Sequence, residues 1–225
     1  MHIGVFGATG VIGSRAVAEG VRRGHRVRAF TTEESRFPEE RGGADWQVAD
    51  WRDADSIAGG IAGLDVVISA VNAGHGIEET IGRADDFVTG ARAMVAALAR
   101  HPHTRVLVVG GAGSLEVAPG RQLVDEPGFA DNLPTALGVP REYHRVVAAL
   151  RDALNIYRTS NRLWTYLSPS SGRIDPGERT GRFRIGGDQL LDTGGRDISA
   201  EDVAVALLDE AQLPRYIQRR FTVGY

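Results

Sequence analysis

The residues best spaced for chemistry come first in the chain. Gly7, Gly10 and Gly13 punctuate the run Gly7-Ala-Thr-Gly10-Val-Ile-Gly13, directly after the apolar segment His2–Phe6 and directly before a helical stretch, Ser14–Arg23, that Gly24 stops. In that setting Gly7 permits a tight turn, Gly10 lets the backbone approach a pyrophosphate, and Gly13 lets the helix pack close to the strand. The helix N-terminus then offers unbonded N–H groups and a partial positive charge to phosphates. A glycine triplet alone is weak evidence; the strand before it and the helix after it are what point to a nucleotide. The tip of the second apolar run carries Thr31-Thr-Glu-Glu-Ser-Arg36. An acid there would hold a ribose 2′-hydroxyl and an Arg a 2′-phosphate. Thr32 stands at the deciding position and is neither. Thr32, Ser35 and Arg36 suit a phosphate and Glu33 suits a ribose, with the balance in favour of NADP(H) over NAD(H).

Other side chains are chemically able but less pointed. Tyr143 and His144 are proton donors by type, His144 with a working range near neutrality. Ser168-Pro-Ser-Ser171 offers hydroxyls to line a cavity, with Ser168 or Ser170 facing it. Arg173, Arg179, Arg182 and Arg184 form a local basic cluster suited to an anionic group such as a flavin phosphate, although pairing with the abundant Asp and Glu explains it more simply. His101-Pro-His103 lies at a helix end without carboxylates nearby, which is poor ligation, so no metal site is expected. Trp46, Trp51 and Trp164 read as core or site-edge packing.

Composition removes several chemistries outright. The 225 residues include no Cys, which excludes disulfides, thiolate metal sites and cysteine nucleophiles. All 26 of the Lys and Arg residues are Arg, so Schiff-base chemistry, a P-loop Lys and a Lys base are excluded too. A net charge of −3 argues against a nucleic-acid partner. Apolar runs such as Asp65–Val71 are too short to span a bilayer, and the strand pattern begins at His2 with no secretory signal before it. No membrane partner and a cytoplasmic location are therefore expected.

The elements that must position these residues alternate. His2–Phe6, Arg26–Phe30, Trp46–Val48, Asp65–Ser69, Arg105–Val109 and Trp164–Leu167 read as buried strands. One helix carries Phe87, Ala91, Met94, Val95 and Leu98 on a single face and stops at His101-Pro102. Another spans Arg141–Asn155 with Val146, Val147, Leu150 and Leu154 inward. A last one opens with Ser199 as N-cap and Asp202 completing a capping box before Val203, Leu207 and Leu208. Alternation of this kind predicts an α/β fold, a doubly wound parallel sheet in a single domain over 1–225, with ligands at the carboxyl ends of the strands. Two segments rich in Gly and Pro, 116–140 and 168–188, show no clear period and read as lid-like insertions that wall a substrate pocket.

The pattern Gly-Ala-Thr-Gly-x-x-Gly resembles that of the atypical short-chain dehydrogenases/reductases, in their NAD(P)-binding, NmrA-like branch. Val108-Val-Gly-Gly-Ala-Gly-Ser-Leu115, Trp164-Thr-Tyr-Leu-Ser-Pro-Ser170, Arg179-Thr-Gly-Arg-Phe-Arg184, Ile198-Ser-Ala-Glu-Asp202 and Arg220-Phe-Thr-Val-Gly-Tyr225 are similar to segments of the bacterial NADH-flavin reductase group. A more distant similarity is to biliverdin-IXβ/flavin reductases. The resemblance covers nearly the whole chain. It implies that Gly7, Thr9, Gly10, Val11 and Ile12 wrap a pyrophosphate and that Asp50 with Trp51 lies near the adenine. Ala70, Val71 and Asn72 would lie on the adenosine ribose side, with Gly110 and Gly111 beside the nicotinamide. It also places Ser114 where relatives often carry a catalytic Ser or Thr.

One departure shapes the functional expectation. The large superfamily uses a Tyr-x-x-x-Lys pair, whereas here Tyr143 is followed four residues on by Val147, and no Lys exists. Alcohol oxidation through a tyrosinate is thus not available in its usual form. Hydride transfer to a flavin or a similar small conjugated acceptor does not need that pair. The expected function is an NAD(P)H-dependent reductase acting on a small molecule, with Ser114, Tyr143 and His144 as candidate catalytic groups. The alternatives are a biosynthetic epimerase, dehydratase or ketone reductase of the same fold, or a non-enzymatic NAD(P) sensor. A monomer and a homodimer both fit the sequence.

Overall fold

Strands made of β-branched and aromatic residues with both faces apolar need cover on both sides, and helices supply it. The computed structural model describes residues 1–170, 172–194 and 196–225. Its first half runs β1 (His2–Phe6), α1 (Val11–Arg22), β2 (Arg26–Thr31), β3 (Asp45–Val48), α2 (Ala54–Ile61), β4 (Val66–Ser69), α3 (Ile77–Gly82), α4 (Asp86–Arg100) and β5 (Arg105–Val109). The second half runs β6 (Glu116–Ala118), β7 (Arg121–Gln122), α5 (Phe129–Leu137), α6 (His144–Arg158), β8 (Trp164–Pro169), β9 (Arg184–Gly186), α7 (Ala200–Gln212) and β10 (Arg219–Gly224).

Eight strands form one sheet in the order β3-β2-β1-β4-β5-β8-β10-β9. Every neighbouring pair is parallel except β9 against β10. The order reverses beside β1, which makes the ends of β1 and β4 the switch point where a Rossmann-like sheet opens a crevice. Ile3 and Val5 project to one face, against Ala16 and Val17 of α1 and Val203 and Leu207 of α7. Phe6 and Phe30 project to the other and stack at 4.4 Å, facing Ile57 and Ile61 of α2 and Met94 and Leu98 of α4. The same face continues under α6, where Val146 and Leu154 share a core with Trp164 and Tyr166.

The expected strands and the long amphipathic helices are all present, with ends shifted by up to three residues. The α4 stripe buries Phe87, Ala91, Met94 and Leu98, as its spacing predicts. Four features depart from the sequence reading. The closing residues form β10, a buried strand. Segment 116–140 is not structureless: it holds the β6–β7 hairpin and α5, a helix with Pro134 inside it that ends at left-handed Gly138. Arg141–Tyr143 is a 3-10 turn rather than the start of α6. Ser199 does cap α7, accepting from Asp202 N–H at 3.1 Å, but Asp202 does not reach back to close the box. Its fully buried carboxylate instead accepts from Thr180 Oγ1 (2.5 Å), Gly181 N–H (2.8 Å) and Tyr225 O–H (2.9 Å).

That bond set fastens the middle of segment 168–188 and the terminal Tyr225 against α7. Glu19, only 5 % exposed, adds a second fastening. It accepts from Arg22 (2.7 Å), Arg23 (2.7 Å) and Arg179 (2.9 Å), and Arg23 continues to Asp209 at 2.8 Å. Burial alone would push the Glu19 carboxyl up, but the hydrogen bonds from the three Arg side chains outweigh it and hold it well below the usual carboxylate range. A carboxylate depressed in the folded state stabilises above its unfolded value, about 4.3 for Glu, and loses that contribution as the pH falls toward the folded value. Glu19→Gln should therefore cost about 2 kcal/mol at neutral pH, with the gap from wild type closing below about pH 4. Urea unfolding of both proteins across that range is the check, and a gap that ignores pH would show that charge is not what Glu19 contributes.

Candidate functional site

At the switch point the chain turns from β1 into α1 with almost no room to spare. Gly7 has φ +73°, and a β-carbon there would lie 2.3 Å from Ala70 O; one on Gly13 would lie 2.0 Å from Gly7 O. Gly10 is different, with an ordinary extended backbone and only Gly7 O nearby, at 3.2 Å. It is exposed, as are Thr9 and Val11, and Ile12 is half-buried. The first intrahelical bond is Ser14 N–H to Gly10 O (3.0 Å), which leaves the amides of Val11, Ile12 and Gly13 without a helical partner. No side chain caps this helix and no acid occupies its first turn, whereas α2 and α7 carry Asp53 and Ser199 as caps. The turn is thus an exposed, electropositive cradle in which a β-carbon at position 10 would stand.

The other sequence-selected positions line the same sheet edge with unequal freedom. Beyond β2, Thr31 donates to Glu33 O (2.7 Å) and Ser35 to Glu33 Oε2 (3.2 Å), while Thr32 is half-buried. Arg36 Nη2 lies 2.9 Å from His75 Nδ1, in an exposed contact. Beyond β3, Asp50 is clasped by Arg52 through its side chain and backbone at 2.9 Å, and those bonds hold its carboxyl below the ordinary range. Trp51 lies flat on α4, where a β-carbon on Gly90 would come within 2.3 Å of its ring. Beyond β4, Ala70 N–H pairs with Phe6 O (3.0 Å). Asn72 staples its own loop by donating to Gly74 O and Thr80 Oγ1. Beyond β5, Gly110 donates to Leu167 O (2.8 Å), and any β-carbon on it would enter the Tyr166 ring; a β-carbon on Gly111 would lie 3.2 Å from Leu150.

The three candidate catalytic groups separate clearly. Ser114 is 3 % exposed, and both its Oγ and its carbonyl accept from Arg220 Nη1, at 2.9 and 2.7 Å. Arg220, itself buried, is held by Asp188 at 2.5 and 2.8 Å. Sequence reasoning named Arg220 only as part of a similar segment; the signal it missed was a charged residue at an inward position of an apolar strand. Tyr143 is half-buried, and burial pushes its phenol up, so at neutral pH it carries its proton and is poorly suited to act as a base. His144 is exposed, with Nδ1 on Arg141 O at 3.0 Å.

The basic cluster disperses: Arg179 pairs with Glu19 and Arg173 with Asp175, and Arg184 bonds to the carbonyls of Asp192 and Tyr225. Ser170 exchanges hydrogen bonds with the backbone of Leu191, Ser168 is fully buried, and Ser171 lies outside the described residues. Among the described residues no group of three His, Asp or Glu is placed to hold a metal, and no helix is long and apolar enough to cross a membrane.

Two spaces border these residues. One is a partly open cavity of about 20 Å³ between α4 and α6, lined by Trp51, Val71, Phe87, Met94, Tyr157 and Tyr166 among others. A dry cavity of roughly 150 Å³ is needed to take even benzene, so no aromatic guest fits there as it stands. The other is an open groove of about 400 Å³ along α1, whose Arg15, Arg22, Arg179, Glu19 and Glu201 already pair with one another.

A family model described as NAD(P)H-binding matches residues 7–214. A solved candidate exported protein from Burkholderia pseudomallei is 42 % identical with a TM-score of 0.82, each chain covering all of the other. A candidate epimerase from Bacteroides thetaiotaomicron is 32 % identical (TM-score 0.81), over 100 % of this chain and 96 % of its own. A candidate NADH-flavin reductase from Streptococcus pneumoniae is 28 % identical (TM-score 0.79), over 99 % and 98 % respectively.

The glycines of the turn should respond to substitution in opposite ways. Gly10→Val fills the cradle without straining the backbone, so it should abolish dinucleotide binding and leave the thermal midpoint within a few degrees. Gly7→Ala should instead destabilise the fold by about 2–4 kcal/mol, from positive φ and the clash with Ala70 O. Fluorescence titration with NADPH alongside thermal unfolding distinguishes them, and tight binding by Gly10→Val would refute the assignment of the cradle.

Proposed function

The chain belongs to the NAD(P)H-binding family, and on that premise we propose that it is a reductase that uses NAD(P)H, with NADPH preferred, to reduce a flavin or a similarly small, planar, conjugated acceptor. The observation that carries this reading is the missing base. Tyr143 has Val147 where a Lys would lower its pKa, no Lys exists in the chain, and burial moves the phenol the wrong way for proton abstraction. A bound nicotinamide would supply a hydride. The protein's own part is then orientation, exclusion of water and one or two hydrogen bonds.

The residues present fit a dinucleotide. The uncapped amides of Val11, Ile12 and Gly13 would take the pyrophosphate, and Thr32 and Arg36 the adenosine end. Ala70, Val71, Gly110 and Gly111 would form a floor of backbone and small side chains. Ser114 is the leading polar contributor: Arg220 already donates to its Oγ, so its own hydrogen is left for an acceptor atom that gains negative charge. The likeness to the candidate flavin reductase from S. pneumoniae supports the acceptor class. The likeness to the candidate epimerase favours a second reading, a biosynthetic enzyme of the same fold that acts on a bound small molecule. A dinucleotide sensor is the third, and its mark would be tight binding without turnover.

Anaerobic oxidation of NADPH and NADH by the purified protein, with and without FMN, riboflavin and a simple quinone, tests the proposal. Acceptor-dependent oxidation is the expected result; tight dinucleotide binding with no oxidation would overturn it in favour of the other two readings. Within an active enzyme, Ser114→Ala should lower kcat by about ten-fold or more while changing dinucleotide affinity little. An unchanged kcat would remove Ser114 from the chemistry.

A further inference from the structure

A charge is buried behind Ser114, where an apolar side chain would pack without losing a hydration shell. Arg220 sits on β10 with 5 % of its surface exposed, opposite the fully buried Tyr166 of β8. Replacing a buried ion pair by well-packed apolar groups is often neutral or stabilising, so packing alone does not account for an Arg there. Its hydrogen bonds show what it does instead. A guanidinium has five N–H groups. Nη1 donates to Ser114 O (2.7 Å) and Oγ (2.9 Å), Nε to Asp188 Oδ1 (2.8 Å), and Nη2 to Asp188 Oδ1 (2.5 Å) and Asp188 O (3.2 Å). Those bonds use every donor, so Arg220 has none left to hold an anionic ligand. Asp188 is fixed in turn: its carbonyl accepts from Glu116 N–H (2.8 Å), and its carboxylate also accepts from Arg158 of α6 (3.3 Å). Ser114 is different. Its Oγ accepts from Arg220, yet among the described residues its own O–H donates to nothing, although the residue is buried. A buried donor without an acceptor is costly. This one follows the carboxyl end of β5, the edge at which such sheets receive their ligands.

We infer that Arg220, backed by Asp188, is a positioning residue for the reduction: its fork fixes the backbone and hydroxyl of Ser114 in one orientation and leaves that hydroxyl free to donate to the acceptor. This rests on the reductase reading above and adds to it the pair that acts through Ser114. Two effects follow from the geometry. Gripping both Ser114 O and Oγ removes the rotamer freedom that a Ser in a glycine-rich turn otherwise has, so its alignment is settled before the acceptor arrives. A fixed positive charge 2.9 Å from Oγ, in an interior of low dielectric, also polarises the O–H toward donation. The acceptor takes one hydrogen and both electrons from the nicotinamide, which is oxidised, and negative charge develops on a conjugated oxygen or nitrogen. The Ser114 O–H shares its hydrogen with that atom and keeps its own bond, so Arg220 stabilises the charge only through the hydroxyl.

A double-mutant cycle on the whole enzyme is the test, read as kcat with NADPH and whichever of FMN, riboflavin or a simple quinone the wild type reduces. With Ser114 present, Arg220→Met should lower kcat about ten-fold, close to the effect of Ser114→Ala; in the Ser114→Ala background it should lower kcat by less than about two-fold. The dissociation constant for NADPH should stay within about three-fold throughout, since the cradle after β1 is untouched. A support of the fold alone would lower kcat alike in both backgrounds. Where thermal unfolding shows that Arg220→Met does not fold, Asp188→Ala decides: its side chain is exposed, and removing it takes the carboxylate from the fork with little loss of packing. That variant should lower kcat several-fold with Ser114 present and not without it. Equal falls in both backgrounds, or a kcat that the deciding variant leaves unchanged, overturn the inference and leave the reductase reading standing. No oxidation by wild type with any of the three acceptors overturns that reading and the inference with it.

Discussion

The carbonyl oxygen of Gly7 sits 2.0 Å from where a β-carbon on Gly13 would be, and Ala70 O sits 2.3 Å from where one on Gly7 would be. This double close approach lets α1 begin flush with the end of β1, so its first amides open onto the strand ends and the helix lies low on the sheet. Gly20 repeats the device further along, with Val27 2.9 Å from its missing β-carbon. A helix that low can pack along its length on α7, and the two bury Ala16, Val17, Ala204 and Leu208 with the sheet residues beneath. The charged fastenings follow from that packing. Glu19 and Arg23 tie α1 to Arg179 and Asp209, and Asp202 ties α7 to Thr180, Gly181 and the terminal Tyr225. On this face, then, the glycine turn determines the helix height, and the helix height determines where segment 168–188 can be anchored.

The opposite face is built for density rather than for polar work. Trp51 covers α4 over Gly90, Tyr166 fills the space beside Gly110 and donates to Leu150 O, and the cavity between α4 and α6 holds about 20 Å³. Rings as large as these need glycines opposite them, and the glycines of α4 and of the β5 turn meet that need as well as any ligand's. Under the proposed reading an acceptor would be left the open edge of the sheet; of the candidate polar groups Tyr143 is half-buried and Ser114 is buried against Arg220.

Much of this was legible in the residues, and the parts that were not share a physical cause. β1, β5 and the α4 stripe follow directly from apolar period, because each is buried uniformly by long-range packing that any apolar residue at that spacing would satisfy. The cradle was legible because its glycines are demanded by backbone geometry rather than by side-chain partners. Helix α5 was hidden by the Pro and Gly around and within it, which obscure a short apolar face. β10 was hidden because Arg220 and Thr222 interrupt its apolar alternation; only the fold shows that Arg220 is buried with Asp188 and Ser114. The Arg36–His75 contact and the Asp202 bonds join residues distant in sequence, and local pattern carries no information about such partners.

A chain without Lys has a restricted set of chemical means, and the site reflects it. Its cations are Arg, which stay charged and donate in fixed directions, so they are good at holding a phosphate, a carbonyl or another side chain and poor at taking up or releasing a proton. The structure uses them in that way: Arg52 holds Asp50, Arg220 holds Ser114, and the Arg trio holds Glu19. Proton exchange near neutrality is ordinarily the work of His, and of the six in this chain His75 contacts the Arg36 guanidinium. A scaffold that fixes groups firmly but has few groups that exchange protons suits a reaction whose difficulty lies in alignment. Hydride transfer between two stacked conjugated rings is such a reaction, because the electron pair moves over a short distance and the acceptor ring itself disperses the charge.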